Sequence, residues 1–265
     1  MIGFYQDRYV EADRLAGPNG RLEMLRTQHL VAGQLRGRGL RIADIGGGPG
    51  SYASWLASLG HHVVLIDPVD RHVEEARKLD TPAGSIVAEV GDARSLALDD
   101  EYFDVVLMLG PLYHLQESAD RRAALSEAMR VLRSGGQLFA AAISRFASLH
   151  DGLIRGWLSD PEFAEIALAD LATGRHENPT GRPGWFVAAY FHRPEELREE
   201  VASVGLADVS VVGLEGLAGW LHDLEERLDD PEECAVLLDV LDRTGAEPSL
   251  LGVSAHLLAH GTKPG

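Results

Sequence analysis

Two acids and a run of glycines carry the chemistry that can be read first from this chain of 265 residues. Asp44 stands ahead of Gly46, Gly48 and Gly50 at two-residue spacing, within RIADIGGGPGSYASWL. Glycine at those places lets the backbone turn sharply and lets a ligand approach without meeting a Cβ. Asp67 follows Gly50 by 17 residues, at a position where a carboxylate can accept hydrogen bonds from both hydroxyls of a ribose. The pair of features predicts a nucleoside site. A nicotinamide dinucleotide fingerprint, G-x-G-x-x-G, counted from Gly46 and Gly48, would need a glycine where Ser51 stands.

These residues need a strand, a turn and a helix to hold them. Ile42, Ala43 and Ile45 read as a short buried strand, residues 52–59 as a helix, and residues 62–66 (HVVLI) as a second strand that ends on Asp67. The unit is a βαβ crossover with an acid at the tip of its second strand. A helix over residues 69–78 then leads to a strand over 85–90. Residues 103–109 (FDVVLML) are a near-continuous apolar run, as a parallel strand buried on both faces requires. An amphipathic helix follows over 121–132, and a fifth strand over 138–143.

The spacing Asp44-x-Gly46-x-Gly48-x-Gly50 resembles the first motif of class I S-adenosylmethionine-dependent methyltransferases, D/E-x-G-x-G-x-G. Three later stretches match the same family in order: Gly91-Asp92-Ala93 after the third strand, Gly110-Pro111-Leu112-Tyr113-His114-Leu115 after the fourth, and the R-V-L-x-x-G-G turn from Arg130 to Gly136. The resemblance covers residues 41–143. Within the family it is closest to small-molecule, ubiquinone- and menaquinone-type enzymes. It implies an α/β, Rossmann-like seven-stranded sheet of order 3-2-1-4-5-7-6 with the last strand antiparallel, and S-adenosyl-L-methionine as cofactor. Gly46, Gly48 and Gly50 would then admit the methionine part, with Asp44 ordering the turn or facing the cofactor amine through water. Asp67 with Pro68 would hold the ribose, Asp92 with Ala93 the adenine, and Leu109 would line the same cleft. Helices ahead of the first strand often lie over the cofactor in this family, which makes Tyr9 and Arg26 candidates for its carboxylate.

The resemblance also orders the rest of the chain as one methyltransferase domain over residues 1–265. Residues 1–37 form N-terminal cap helices, over 4–15 and 21–35 with a Gly17-Pro18-Asn19-Gly20 turn between them. Residues 38–143 form the cofactor-binding half, 144–193 a helical lid insertion, and 194–265 the C-terminal half of the sheet. The insertion is expected as two helices broken at Asp160-Pro161 and then a loop rich in aromatics. Such an insertion usually covers the acceptor, so Tyr113, His114, Arg145, Trp157, Trp185, Phe186, Tyr190 and His192 are the candidate acceptor-site residues.

Methyl transfer from a sulfonium is an in-line displacement in which the protein desolvates and aligns the reactants. A hydroxyl acceptor must also lose a proton, and a neutral imidazole takes one near pH 7. His114, in the loop beside the expected methyl, is therefore the candidate catalytic base. No metal site is expected: His256 and His260 lie about 13 Å apart along a strand. Neither G-x-S-x-G, H-E-x-x-H nor G-x-x-x-x-G-K-[ST] occurs.

A formal net charge of -17 argues against nucleic acid and anionic membrane as partners and favours a small uncharged or cationic acceptor. The single cysteine, Cys234, excludes an internal disulfide, and no secretory or membrane-spanning run is present, so a cytoplasmic monomer or homodimer is expected. The sequence thus predicts methylation of O, N or C on a small metabolite, in specialised metabolism. The alternative from a different class is a catalytically silent S-adenosylmethionine-binding sensor or partner subunit, which the same binding motif would serve.

Overall fold

The computed structural model describes residues 17–265; the helix expected over residues 4–15, and Tyr9 with it, lies outside the described residues. Parallel strands β1 (Arg41–Ile45), β2 (His62–Asp67), β3 (Ser85–Val90), β4 (Phe103–Met108) and β5 (Leu132–Ile143) form most of the central sheet. A two-stranded ribbon, β6 (Arg175–His176) and β7 (Ala189–Tyr190), belongs to the insertion. Strands β8 (Ala207–Gly213) and β9 (His256–Thr262) complete the sheet in the order β3-β2-β1-β4-β5-β9-β8. Counting only the strands of this sheet, that is the expected 3-2-1-4-5-7-6, with β9 antiparallel to both its neighbours.

Successive side chains on a strand face opposite ways, so β4 feeds two cores. Val106 and Met108 pack with Leu125, Ala128 and Val131 of one helix and with Leu197 and Val201 of another. Val105 and Leu107 pack on the other face with Leu56, Val73 and Val31, each from a different helix. The helices of these layers are α1 (Pro18–Gln34), α2 (Ser51–Ser58), α3 (Asp70–Ala76), a one-turn α4 (Pro111–His114), α5 (Ser118–Val131), then α6 (Ala147–Ile154) and α7 (Pro161–Thr173) in the insertion, and α8 (Pro194–Ser203), α9 (Leu224–Asp229) and α10 (Pro231–Thr244) beyond it.

Two boundaries differ from expectation. The Gly17-Pro18-Asn19-Gly20 stretch is not a turn: Pro18 opens α1, because its fixed φ suits the first helical position and its missing N–H would have no partner there anyway. Strand β5 begins at Leu132, paired with Phe103, and the register shifts before Val105 meets Gln137, so the Arg133 to Gly136 segment is an irregularity inside the strand.

In the insertion, Asp160 caps α7 through its side chain and Pro161 occupies the first turn, as the sequence predicts. Trp157, Phe163 and Trp185 stack edge to face, with ring centroids 5.3 and 5.1 Å apart, and close a small core with Ile166 and Ala167. A buried polar centre lies beside it: Asp170 Oδ2 meets Ser148 Oγ (2.5 Å) and His176 Nδ1 (2.8 Å), while His176 Nε2 faces the Trp185 carbonyl at 2.8 Å. No helix among the described residues is long and apolar enough to cross a membrane.

Candidate functional site

The glycine turn leaves β1 with three residues in the left-handed region, Gly46 (φ 72), Gly48 (φ 57) and Gly50 (φ 95). Space is as restrictive as conformation: a Cβ on Gly46 would lie 2.7 Å from Pro111 Cγ, and one on Gly47 would lie 2.6 Å from Asp44 Oδ2. Gly47→Ala should therefore destabilise the fold by about 1–3 kcal/mol through overpacking. Urea unfolding measures this, and a change within experimental error would show that the Asp44 side chain yields.

Asp44, at the end of β1, is almost fully buried, and its Oδ2 has no hydrogen-bond partner. Burial, and then the charge of Asp67, push its carboxyl up to about 7. Asp67, at the end of β2, is anchored: Gly48 N–H donates to Oδ2 (2.9 Å), Val69 N–H to Oδ1 (2.9 Å), and His72 Nδ1 lies 3.2 Å from Oδ1. Those contacts take three of the about four lone-pair positions of a carboxylate, and the remaining one is on Oδ2. Asp92, past β3, is half-exposed and clasped by Arg94, whose Nη2 donates at 2.6 Å; the Arg94 hydrogen bonds hold its carboxyl below the usual range. It also accepts from Arg94 N–H at 2.9 Å, the turn-capping role common for Asp.

One cleft collects these groups. Asp44, Gly46, Gly48, Asp67, Pro68, Asp92, Ala93 and Leu109 line it together with Tyr113 and His114, the end of the loop that leaves β4. Gly50, expected beside the cofactor, is not among the lining residues: it caps α2, and a Cβ on it would meet Leu79, Ala76 and Leu65. The His114 ring packs edge-on to Tyr113 (4.6 Å) and stacks on Phe186 of the insertion (6.1 Å, 21°). Phe186 itself holds φ 59, a conformation costly for a bulky side chain, at the point where the insertion reaches this loop.

Several predicted residues are placed elsewhere. Arg26 faces α10 instead of the cleft and pairs with Asp242 at 2.5 Å, because α1 turns it to the same buried side as Leu22. Arg145 is buried under the insertion, bound to Glu196 (2.6 Å) and the Phe191 carbonyl (2.8 Å). Tyr190 lies under the Arg121 guanidinium, 3.7 Å from its carbon. His192 is wholly buried against Glu200 at 3.1 Å. Burial works against ionising Glu200, but hydrogen bonds from His192 and Arg121 outweigh it and hold the carboxyl at about 2. Trp157 and Trp185 belong to the insertion's own core. None of these six side chains is among the cleft-lining residues, so of the acceptor candidates the cleft itself holds Tyr113 and His114.

The cleft also uses residues that sequence reasoning passed over: Tyr52, Ile66, Val69, His72 and Arg94. Arg94 follows the Gly91-Asp92-Ala93 turn directly and could have been flagged as a charge beside Asp92. Nothing in the spacing marks His72.

The lining fits S-adenosylmethionine on physical grounds. Gly46, Gly47 and Gly48 line the cleft with backbone alone, so a ligand meets no side chain at the turn; Asp44 offers a buried oxygen without a donor, suited to an ammonium; and acids follow one another at the tips of β1, β2 and β3 between apolar Ile66, Val69 and Leu109.

Comparison with known proteins agrees. A family model described as a methyltransferase domain matches residues 43–140. A ubiquinone biosynthesis O-methyltransferase of Methylocella silvestris is 34% identical over 195 residues, covering 71% of this chain and 68% of the relative. A protein of the same name from Parvibaculum lavamentivorans is 32% identical over 139 residues, and the match spans about half of each (52% and 51%). Among solved structures, an S-adenosylmethionine-dependent methyltransferase of Thermotoga maritima superposes with a TM-score of 0.61 at 21% identity, covering 99% of this chain and 100% of that one; at that identity the likeness speaks for the fold. The chain belongs to the class I S-adenosylmethionine-dependent methyltransferases.

Proposed function

We propose that this methyltransferase acts on the hydroxyl oxygen of a small aromatic metabolite, with His114 as the base. The observation that carries the reading is His114 in the lining of the cofactor cleft, its ring packed against those of Tyr113 and Phe186. The relatives named for O-methylation in ubiquinone biosynthesis support oxygen over nitrogen or carbon. When bound, S-adenosylmethionine supplies a methyl group already activated on sulfur, so the chain has to hold the acceptor in line and manage one proton. Gly46 and Gly48 admit the methionine part, Asp44 faces its ammonium, Asp67 accepts from the ribose at Oδ2, and Asp92 and Ala93 border the adenine. His114 takes the acceptor's proton as the oxygen–carbon bond forms and the sulfur–carbon bond breaks, while Tyr113, in the cleft lining beside it, packs against a planar acceptor.

The test is a panel of phenols, catechols, hydroquinones and amines, each incubated with the enzyme and S-adenosylmethionine and scored by mass spectrometry for a single added methyl. Products on hydroxyl oxygen are expected. Turnover confined to amines would overturn the choice of oxygen. With the best acceptor in hand, His114→Ala should lower kcat about 100-fold, the lower end of general-base effects, with KM for S-adenosylmethionine little changed. An unaltered kcat would remove His114 as the base.

A further inference from the structure

Three residues far apart in sequence converge outside the cleft. Glu23 on α1, Glu215 just past β8 and His256 at the start of β9 bring one ligand atom each within 4.8 Å of one another. His256 Nδ1 lies 2.5 Å from Glu215 Oε1 and 3.7 Å from Glu23 Oε2. Both carboxylates are buried, and His256 is partly so. Neither is among the residues that line the cofactor cleft.

We propose that Glu23, Glu215 and His256 form a binding site for a divalent transition-metal ion. Donors held 2.0–2.2 Å from one ion stand about 3.0–3.5 Å apart; Glu23 Oε2, 3.7 Å from Nδ1, is close to that spacing, and Glu215 Oε1, in direct contact with the ring at 2.5 Å, would draw back by about 0.5–1 Å to admit the ion. The donor set, two oxygens and one imidazole nitrogen, suits manganese, iron or zinc, and not magnesium or calcium, which take oxygen alone.

The surroundings hold the ligands in place. Ser254 Oγ donates to Glu215 Oε2 at 2.8 Å and His256 N–H donates to the same oxygen at 3.0 Å, which turns Oε1 toward the imidazole. Ser254 Oγ in turn accepts from the N–H groups of Glu215 (2.9 Å) and Gly216 (3.0 Å). Outer contacts of this kind orient metal ligands and fix their tautomers. The site lies at the same rim of the sheet as the cofactor cleft, since His256 pairs with Ile143 at the end of β5. His260 is too far along the strand to share an ion with His256; the partners of His256 come from α1 and the segment just past β8 instead. The methyl transfer proposed above does not pass through this site, and the two stand or fall separately.

The experiment is calorimetric titration of the chelator-stripped full chain with ZnCl2 and with MnCl2, and electron paramagnetic resonance of free manganese. One ion per chain is expected. Glu23→Gln, Glu215→Gln and His256→Ala should each weaken it by roughly 100-fold and Ser254→Ala by roughly tenfold, on the scale at which outer-contact losses act. Affinity for S-adenosylhomocysteine, measured on every variant, should stay unchanged and reports that the fold is intact. Uptake of neither ion by the wild-type chain, or equal uptake by all variants, overturns the proposal. If a variant does not fold, anomalous scattering from wild-type crystals grown with MnCl2 decides: a peak among the three residues upholds the site, and its absence there refutes it.

Discussion

Asp67→Ala should weaken binding of S-adenosylhomocysteine by at least about 100-fold. The carboxylate acts twice. In the proposed binding mode it would accept from a ribose hydroxyl at Oδ2, a hydrogen bond to a charged group worth about 1.5–3 kcal/mol. It also fixes the glycine turn by accepting from Gly48 N–H and the start of α3 by accepting from Val69 N–H. Alanine leaves both donors without their partner, at about 1–3 kcal/mol for each one that stays buried. Asp67→Asn separates these parts. Its single carbonyl oxygen can serve one backbone donor, and its amide then points N–H groups at the other. Calorimetry on the three proteins measures the effect, and the Asn form should fall between the other two. An Ala variant whose affinity stays within threefold of wild type would falsify the assignment of Asp67 to the ribose.

The sheet was legible because its buried strands are apolar runs and its turns are glycines. The stretch from Ile42 to Asp67 could be placed from residue type alone, and so could the break at Asp160-Pro161. What residue type does not give is the direction a side chain faces. Arg26 reads as a cation near a cofactor, yet the phase of α1 turns it toward Asp242 on α10, 216 positions away. Arg145 and His192 read as pocket groups on an insertion, and both pair with partly exposed acids of α8, Glu196 and Glu200. Aromatic content misled in the same way: an insertion of two helices must build its own core, and Trp157 and Trp185 go into it. The insertion aromatic that packs on a cleft residue is Phe186, against the ring of His114, and it is distinguished by a strained backbone angle that no composition rule reveals. The grouping of Glu23, Glu215 and His256 depends on β9 lying between β5 and β8, a long-range pairing that local patterns do not encode.

Asp44 carries the second large expectation, a dependence of both stability and cofactor affinity on pH. Its carboxyl titrates at about 7 in the folded chain, against an ordinary value of 3.8. Between those values the folded protein holds a proton that the unfolded chain has lost, so the contribution of Asp44 to stability is greatest at low pH. That contribution declines as pH rises and is fully lost above the folded value, a change of about 4 kcal/mol for a shift of about three units. Binding runs the opposite way. An ammonium beside Oδ2 favours the ionised carboxylate, so affinity for S-adenosylmethionine should rise about tenfold per unit from pH 5 toward neutrality and level off above about 7. Proton release on binding should accompany the rise, seen as a dependence of the calorimetric heat on the buffer's ionisation enthalpy. Asp44→Asn cannot titrate. Its unfolding free energy relative to wild type should therefore improve by about 4 kcal/mol between about pH 4 and pH 8, and its affinity should lack the rise toward neutrality. If the two proteins keep parallel stability curves across that range, Asp44 does not hold the proton, and the unpartnered oxygen beneath the glycine turn has another role.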